Sequence, residues 1–205
     1  MANLTSICVY CGSANGADPA YAAAAEEFGA LLAGSGIRLI YGGGSVGLMG
    51  IVARRVLAEG GQVTGIIPQF LKEREVMLTE VSELIVTPDM HERKRIMFER
   101  SDAFVALPGG IGTLEETVEM LTWAQLGRHA KPVALANING FWNPLRELLS
   151  HMESQGFLAK TFLGRSGAVP YHLVPTVAEI IPTLREAVAA QPRPPVEAAD
   201  AAKVM

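Results

Sequence analysis

Ala103-Phe-Val-Ala-Leu-Pro-Gly-Gly-Ile-Gly-Thr-Leu-Glu-Glu116 breaks an apolar run into a glycine-rich loop and then reopens as an acidic helix. Phe104, Val105, Ala106 and Leu107 form a short continuous apolar run, the pattern of a strand covered on both faces. Pro108 has no N–H to continue the ladder, so the strand ends there. Gly109, Gly110 and Gly112 allow positive φ and let the backbone approach a ligand closely. Thr113 is a good N-cap, and Glu116, three residues on, completes a capping-box pattern. Backbone N–H groups at such a loop and helix start converge on one point and suit a phosphate or a carboxylate. Glu115 and Glu116 then fall in the first helical turn, where they either complement the helix dipole or carry chemistry. The three glycines before them weigh against a purely capping role.

Upstream, residues 6–10 read as a first strand, followed by the small-residue turn Cys11-Gly-Ser-Ala-Asn-Gly16 and an alanine-rich helix over 19–33. Residues 37–41 are a second strand, leading into Gly42-Gly-Gly-Ser-Val-Gly47 and a helix to about residue 59. Gly42-x-Gly44-x-x-Gly47 formally satisfies the dinucleotide fingerprint, but the following strand, 63–67, runs into Pro68-Gln69 where that fold places a ribose-binding acid. The loop therefore reads either as a phosphate or ribose contact in a mononucleotide site or as a tight turn packing a helix close to the sheet. Residues 69–77 are too polar for core and are a lid or a solvated turn. Residues 83–87 form a further strand, and Asp89 caps a helix carrying Met90-His-Glu-Arg-Lys-Arg-Ile-Met97, with Met90, Met97 and Phe98 inward. Arg93, Lys94 and Arg95 with Glu92 and Glu99 are either a salt-bridged exterior or, in part, ligand contacts. After the central loop, Leu114, Val118 and Leu121 mark one helical face, with Trp123 packing. Then follow a strand over 131–136, a helix over 141–155, a strand over 171–174 and a helix over 176–190.

Strands alternating with helices predict a single doubly wound Rossmann-like α/β domain over 1–190, with a mostly parallel sheet and a ligand site beyond the strands' C-terminal ends. The Pro- and Ala-rich residues 191–205 read as a disordered tail. Ser13, Gly43, Gly44, Arg93 and the stretch Gly110 to Glu116 all fall at such strand ends or on the helices that follow, so they can share one cleft. The chain of 205 residues carries 17 basic and 21 acidic side chains, net −4, with no global basic footprint for nucleic acid or an anionic membrane surface. The opening Met1-Ala-Asn-Leu-Thr-Ser6 has no basic segment followed by a long apolar run, and no apolar run reaches spanning length, which points to a cytoplasmic protein. Cys8 and Cys11 match C-x-x-C, but Cys8 lies inside an apolar strand, and His91, His129, His151 and His172 show no paired spacing for a metal. No metal or cofactor is expected.

Pro108-Gly-Gly-Ile-Gly-Thr-Leu-Glu-Glu116 resembles the P-G-G-x-G-T-x-x-E signature of the Lonely Guy (LOG) family, phosphoribohydrolases that cleave cytokinin riboside 5′-monophosphates to free base and ribose 5-phosphate. The similarity extends to Met90-His-Glu-Arg-Lys94, to Tyr41-Gly-Gly-Gly-Ser-Val-Gly-Leu-Met-Gly50 and to Tyr10-Cys-Gly-Ser13, and covers roughly residues 5–185. Ile111 stands where the family often has Tyr. The resemblance implies Arg93 and Glu116 as catalytic residues. It implies substrate contacts at Ser13, Gly43, Gly44, Glu75, Lys94, Gly109, Gly110, Ile111, Gly112, Thr113, Leu114, Glu115 and Thr122. It further implies a nucleoside monophosphate substrate and a homodimer, while the charge balance and hydropathy above argue against a nucleic-acid or membrane partner. A cofactor-carrying protein of the same fold is the alternative, and it has no need for a carboxylate beside C1′. A lysine decarboxylase, a label sometimes attached to the family, would need a pyridoxal lysine, and of the five lysines only Lys94 sits near the proposed site.

Overall fold

The structure, a computed structural model, describes residues 4–72, 77–158, 161–162, 165–166 and 169–190. In chain order the elements are β1 (Ser6–Tyr10), α1 (Pro19–Gly34), β2 (Arg38–Tyr41), α2 (Gly47–Ala58), β3 (Val63–Pro68), the short α3 (Gln69–Lys72), β4 (Glu83–Thr87) and α4 (Met90–Glu99). There follow β5 (Ala103–Ala106), α5 (Ile111–Gln125), β6 (Val133–Ala136), a 3₁₀ turn (Ile138–Gly140), α6 (Asn143–Ser154), the hairpin β7 (Thr161–Phe162) and β8 (Arg165–Ser166), β9 (His172–Val174) and α7 (Val177–Ala189). A seven-stranded sheet has the order β4-β3-β2-β1-β5-β6-β9. All six of its strand pairings are parallel. From β1 the chain builds outward one way through β2 to β4, then returns and builds the other way from β5. The switch point is therefore the gap between the C-terminal ends of β1 and β5.

The two sheet faces bury different sets. On one, Ile7, Val9, Leu39 and Val105 pack against Phe28 and Leu32 of α1, Val52 and Val56 of α2, and Ile180 and Leu184 of α7. On the other, Cys8, Tyr10, Ile40, Ile66 and Phe104 pack against Met97 of α4 and Met120 and Leu121 of α5. Alternate residues of β1 thus feed opposite layers, as the period of two requires, and every one is buried. Cys8 and Cys11 follow the same alternation into separate clusters. Burial pushes both thiols well above their ordinary range, which makes them inert packing residues. Trp142 closes a third cluster with Ala106 and Leu135, its indole N–H donating to the Ala106 carbonyl at 3.1 Å.

Several sequence expectations need correction. The capping box at Thr113 and Glu116 does not form: α5 begins at Ile111, its N-cap is Gly110, and no side chain caps it. Thr113 is buried inside the helix, and Glu115 and Glu116 lie beyond the first turn. None of Gly109, Gly110 and Gly112 has positive φ, whereas Gly43 and Gly47 do, at 82° and 60°. The inward face of α5 is Thr113, Thr117, Met120 and Leu121, and Val118 is exposed. β6 starts at Val133 because Pro132 has no N–H to give, though its carbonyl still accepts from Phe104 N at 2.9 Å. The tail over 191–205 and Glu75 lie outside the described residues.

Candidate active site

The loops leaving β1 and β5 are stitched together before they part. Leu107 N donates to Tyr10 O at 2.9 Å and Gly12 N to Pro108 O at 3.0 Å, and Met49 N of α2 donates to Gly12 O at 3.3 Å. Beyond these bonds a cavity of about 210 Å³ opens, lined by Gly12, Ser13, Tyr21, Gly109, Gly110 and Phe141 among others. It sits at the switch point, where an open parallel sheet places its ligand. Gly110, at the N-terminus of α5, leaves the first-turn N–H groups without a side-chain acceptor. A Cβ built at Gly110 or Gly112 would meet nothing within 4 Å, so open space faces that helix start. Val46, before α2, likewise offers no side-chain cap. Two helix N-termini thus stand uncapped on the glycine loops, an arrangement suited to an anion.

Arg93 enters from α4, which is capped as expected by Asp89 Oδ1 accepting from Glu92 N at 2.8 Å. The arginine is buried and its donors are fixed from several sides. Nε donates to Ile66 O of β3 at 3.2 Å, and Nη1 lies 3.6 Å from Met90 Sδ and 3.4 Å from Glu116 Oε1. A side chain at position 42 would occupy the place of the guanidinium, which explains Gly42. The Arg93 and Glu116 side chains are 10% and 12% exposed, so the pair is nearly withdrawn from water. At 3.4 Å it is looser than a charge-assisted hydrogen bond of about 2.7–2.9 Å, so the guanidinium is not closed onto the carboxylate. Burial raises the Glu116 pKa above the ordinary carboxylate value; Arg93 pulls it down, but the nearby Glu115 and Glu119 work with burial.

Lys94, the next residue, points to other partners: its ammonium donates to Glu115 Oε1 at 2.8 Å and Glu119 Oε1 at 3.1 Å. Burial alone would lower its pKa, but the two carboxylates outweigh that and raise it, so Lys94 is a firm cation. Gly43 and Gly44 are tied to the segment after α3 by Leu78 N donating to Gly43 O at 3.2 Å and by a bridge between Gly44 and Met77. Ile111 is 81% exposed and, with Leu114, lines an apolar cleft of about 350 Å³ that shares Gly109, Gly110 and Phe141 with the switch-point cavity. The structure therefore brings Ser13, Gly109, Gly110, Ile111 and Leu114 to one connected opening. Arg93 and Glu116 meet beside Gly42, and Lys94 joins Glu115. Thr122 is not among these groups: it is exposed three turns along α5, its hydroxyl donating to Val118 O at 2.7 Å. Glu119 was missed by sequence reading, although its i,i+4 spacing from Glu115 was the available signal. Among the described residues no three His, Cys, Asp or Glu side chains gather as metal ligands.

Fold and site together define a Rossmann-like α/β protein with an anion-ready switch point and a buried arginine–glutamate pair. A family model described as "Possible lysine decarboxylase" matches residues 49–181. Over 154 residues the chain is 51% identical to the cytokinin riboside 5′-monophosphate phosphoribohydrolase LOG of Oryza sativa subsp. japonica, covering 75% of this chain and 64% of that protein. With the Arabidopsis thaliana enzyme LOG3 it shares 46% over 180 residues, covering 88% of this chain and 81% of that one. The chain belongs to the LOG family. Among solved structures, the Moco carrier protein from Chlamydomonas reinhardtii superposes with a TM-score of 0.68 at 22% identity, covering 92% of this chain and 100% of that one. A molybdenum cofactor binding protein from Rippkaea orientalis gives 0.65 at 24%, covering 91% and 98%. These two likenesses concern the fold alone.

Proposed function

We propose that this chain is a phosphoribohydrolase that cleaves the N-glycosidic bond of adenosine 5′-monophosphates, N6-modified ones included, to free base and ribose 5-phosphate. The observation that carries the reading is the buried Arg93–Glu116 pair beside Gly42, on the same side of the sheet as the uncapped start of α5. The names of the LOG relatives support it. In this mechanism the 5′-phosphate lies against the first-turn N–H groups of α5 and the glycine loops, with Arg93 contributing charge, so that binding energy remote from the bond positions the ribose. Breaking the bond builds positive charge at C1′. Glu116, ionised, stabilises that charge and takes a proton from the attacking water. Glu115 and Lys94 meet the ribose hydroxyls or the base.

Two other readings have less support. A lysine decarboxylase needs a lysine that can lose its proton to form a Schiff base, whereas Lys94 is held protonated by two carboxylates. A cofactor carrier shares the fold, but a carboxylate withdrawn from water beside an arginine adds nothing to carrying. We further propose that the chain acts as a homodimer in the cytoplasm; no helix among the described residues is long and apolar enough to cross a membrane. The test is to incubate the purified protein with AMP, N6-isopentenyl-AMP and adenosine and to measure free base and ribose 5-phosphate. Release from the monophosphates and hardly any from adenosine is expected. Equal turnover of adenosine and AMP would refute the role given to the phosphate.

A further inference from the structure

Glu119 takes no part in the mechanism above, yet its surroundings are unusual for a helix-surface carboxylate. Its side chain is 23% exposed, Oε1 accepts from Lys94 at 3.1 Å, and Oε2 is buried with no hydrogen-bond partner among the described residues. A buried carboxylate oxygen left without a donor costs stability. Its nearest neighbours on the same helix face are Glu115, one turn back, and Glu116, three residues back, whose Cβ lies roughly 5–6 Å away in such a spacing.

We infer that Glu119 is a positioning residue of this site: through Oε1 it holds Lys94 against α5, and its carboxyl group, one helical turn along the same face, biases the charge state of Glu116. The inference deepens the phosphoribohydrolase reading and rests on it for the roles of Lys94 and Glu116. The groups acting on Glu116 from each neighbouring element are Arg93 and Lys94 of α4 and Glu115 and Glu119 of α5. Cys8 and Tyr10 of β1, and Cys11 just after it, also sense Glu116, but their own ionisation is pushed far above neutral pH, so they add no charge. Glu115 and Glu119 both raise the proton affinity of Glu116, Glu115 the more, and both hold the cation that opposes it; only the Glu119 bond to Lys94 is semi-buried. Lys94 would otherwise be restrained only by Glu115, whose side chain is 54% exposed and thus poorly fixed. A base whose proton affinity is raised accepts the water proton more readily, and a held lysine is pre-organised for substrate.

The experiment compares wild type, Glu119→Gln, Glu119→Ala and Lys94→Met. The first readout is the titration of the Glu116 side-chain carboxyl in the ligand-free protein, followed by carbon NMR with the Glu116→Gln protein as assignment control. Removing a neighbouring negative charge favours ionisation, so in Glu119→Gln the Glu116 titration is expected to move down. In Lys94→Met it should move up. If thermal stability falls in Glu119→Gln while the Glu116 titration stays put, Glu119 is structural and the inference fails. The second readout is turnover of AMP, whose acid limb in kcat/KM should follow the NMR shift. Glu119→Ala, which leaves Lys94 one acceptor short, should raise KM several-fold more than Glu119→Gln, which keeps an oxygen for it. Equal KM values in the two variants would overturn the Lys94-holding role. If wild type turns over no monophosphate, the phosphoribohydrolase reading falls, and the carboxyl titration still decides whether Glu119 sets the charge state of Glu116.

Discussion

A methyl group added at Gly42 would stand where the Arg93 guanidinium lies, whereas one added at Gly110 would meet nothing within 4 Å. The two glycines look alike in the sequence and serve different ends. Gly110 has φ −90° and ψ −159°, values open to alanine, but it is the N-cap of α5, where alanine is the poorer cap, so Gly110→Ala should lower stability by about 0.5–1 kcal/mol. Its methyl would project into the opening, and KM for AMP should rise; an unchanged KM would show that nothing binds there. Arg93→Ala should weaken AMP binding by about 1.5–3 kcal/mol, the loss of a charge-assisted contact, read by calorimetry. Glu116→Gln should keep most ligand affinity and lower kcat by roughly a hundredfold or more. Since no capping box exists at α5, wild-type turnover in that folded variant would leave Glu116 without a catalytic role. The pH sign follows from the raised pKa: kcat/KM falls as pH drops through it, because the working form is the carboxylate. For stability the sign is opposite. The protonated, buried group contributes below the ordinary carboxylate range and that contribution is lost as pH rises through the raised pKa, so Glu116→Gln should flatten this part of the melting profile.

At the scale of elements, Asp102 fastens β5 to β1 at the end of the sheet away from the site. Its Oδ2 accepts from the backbone N–H groups of Thr5 and Ser6 and from both hydroxyls, at 2.8–3.1 Å. Burial opposes ionisation, but these four donors outweigh it and lower the pKa. Asp102→Ala should therefore cost about 1.5–3 kcal/mol in denaturant unfolding at neutral pH. The stabilisation is present above the ordinary aspartate range and should be lost as pH falls through the lowered pKa, so the variant and wild type converge in acid. No loss at neutral pH would mean that Thr5 and Ser6 hold the strands without it. The central strands were legible in the sequence because runs such as Ile7-Cys-Val-Tyr10 and Phe104-Val-Ala-Leu107 are apolar on both faces. The start of α5 was not. Glycine is a poor helix former, so Ile111-Gly112 reads as loop, yet Gly110 has extended backbone angles and the chain turns helical directly after it. The same ambiguity hid Val118. Three apolar residues suggested an inward face, but shifting the helix start says nothing of its rotation, which Thr117 and Met120, packed on the sheet, decide.

For the molecule as a whole, the strand order puts a cavity at the switch point, where alternation of strands and helices leads one to look for a ligand, while the pairing of Lys94 with Glu119 depends on how α4 and α5 lie together, which no local pattern encodes. Thr122 raises the remaining question of scale. It lies eleven residues past the start of α5, roughly 16 Å along the axis at about 1.5 Å per residue, and so far from the opening at Gly110. On the same exposed side of the helix, Ile111, Val118 and Leu126 are 81%, 40% and 47% exposed, an apolar stripe beside it. If Thr122 contacts substrate, as the family resemblance implies, it contacts the site of a second copy packed on this stripe. Sedimentation should then find a dimer, and Val118→Asp should give monomers with little turnover. Complementation separates a shared site from a merely dimeric one. In a refolded equal mixture of Glu116→Gln and Thr122→Arg chains, half the dimers are mixed, and in each the site holding the intact Glu116 faces the intact Thr122 of its partner. Each variant alone is expected to be nearly inactive, yet the mixture should recover about one quarter of wild-type turnover, as two-fold symmetry demands. Were Thr122 to serve the site of its own chain, both sites of a mixed dimer would carry a defect, and mixing would recover nothing.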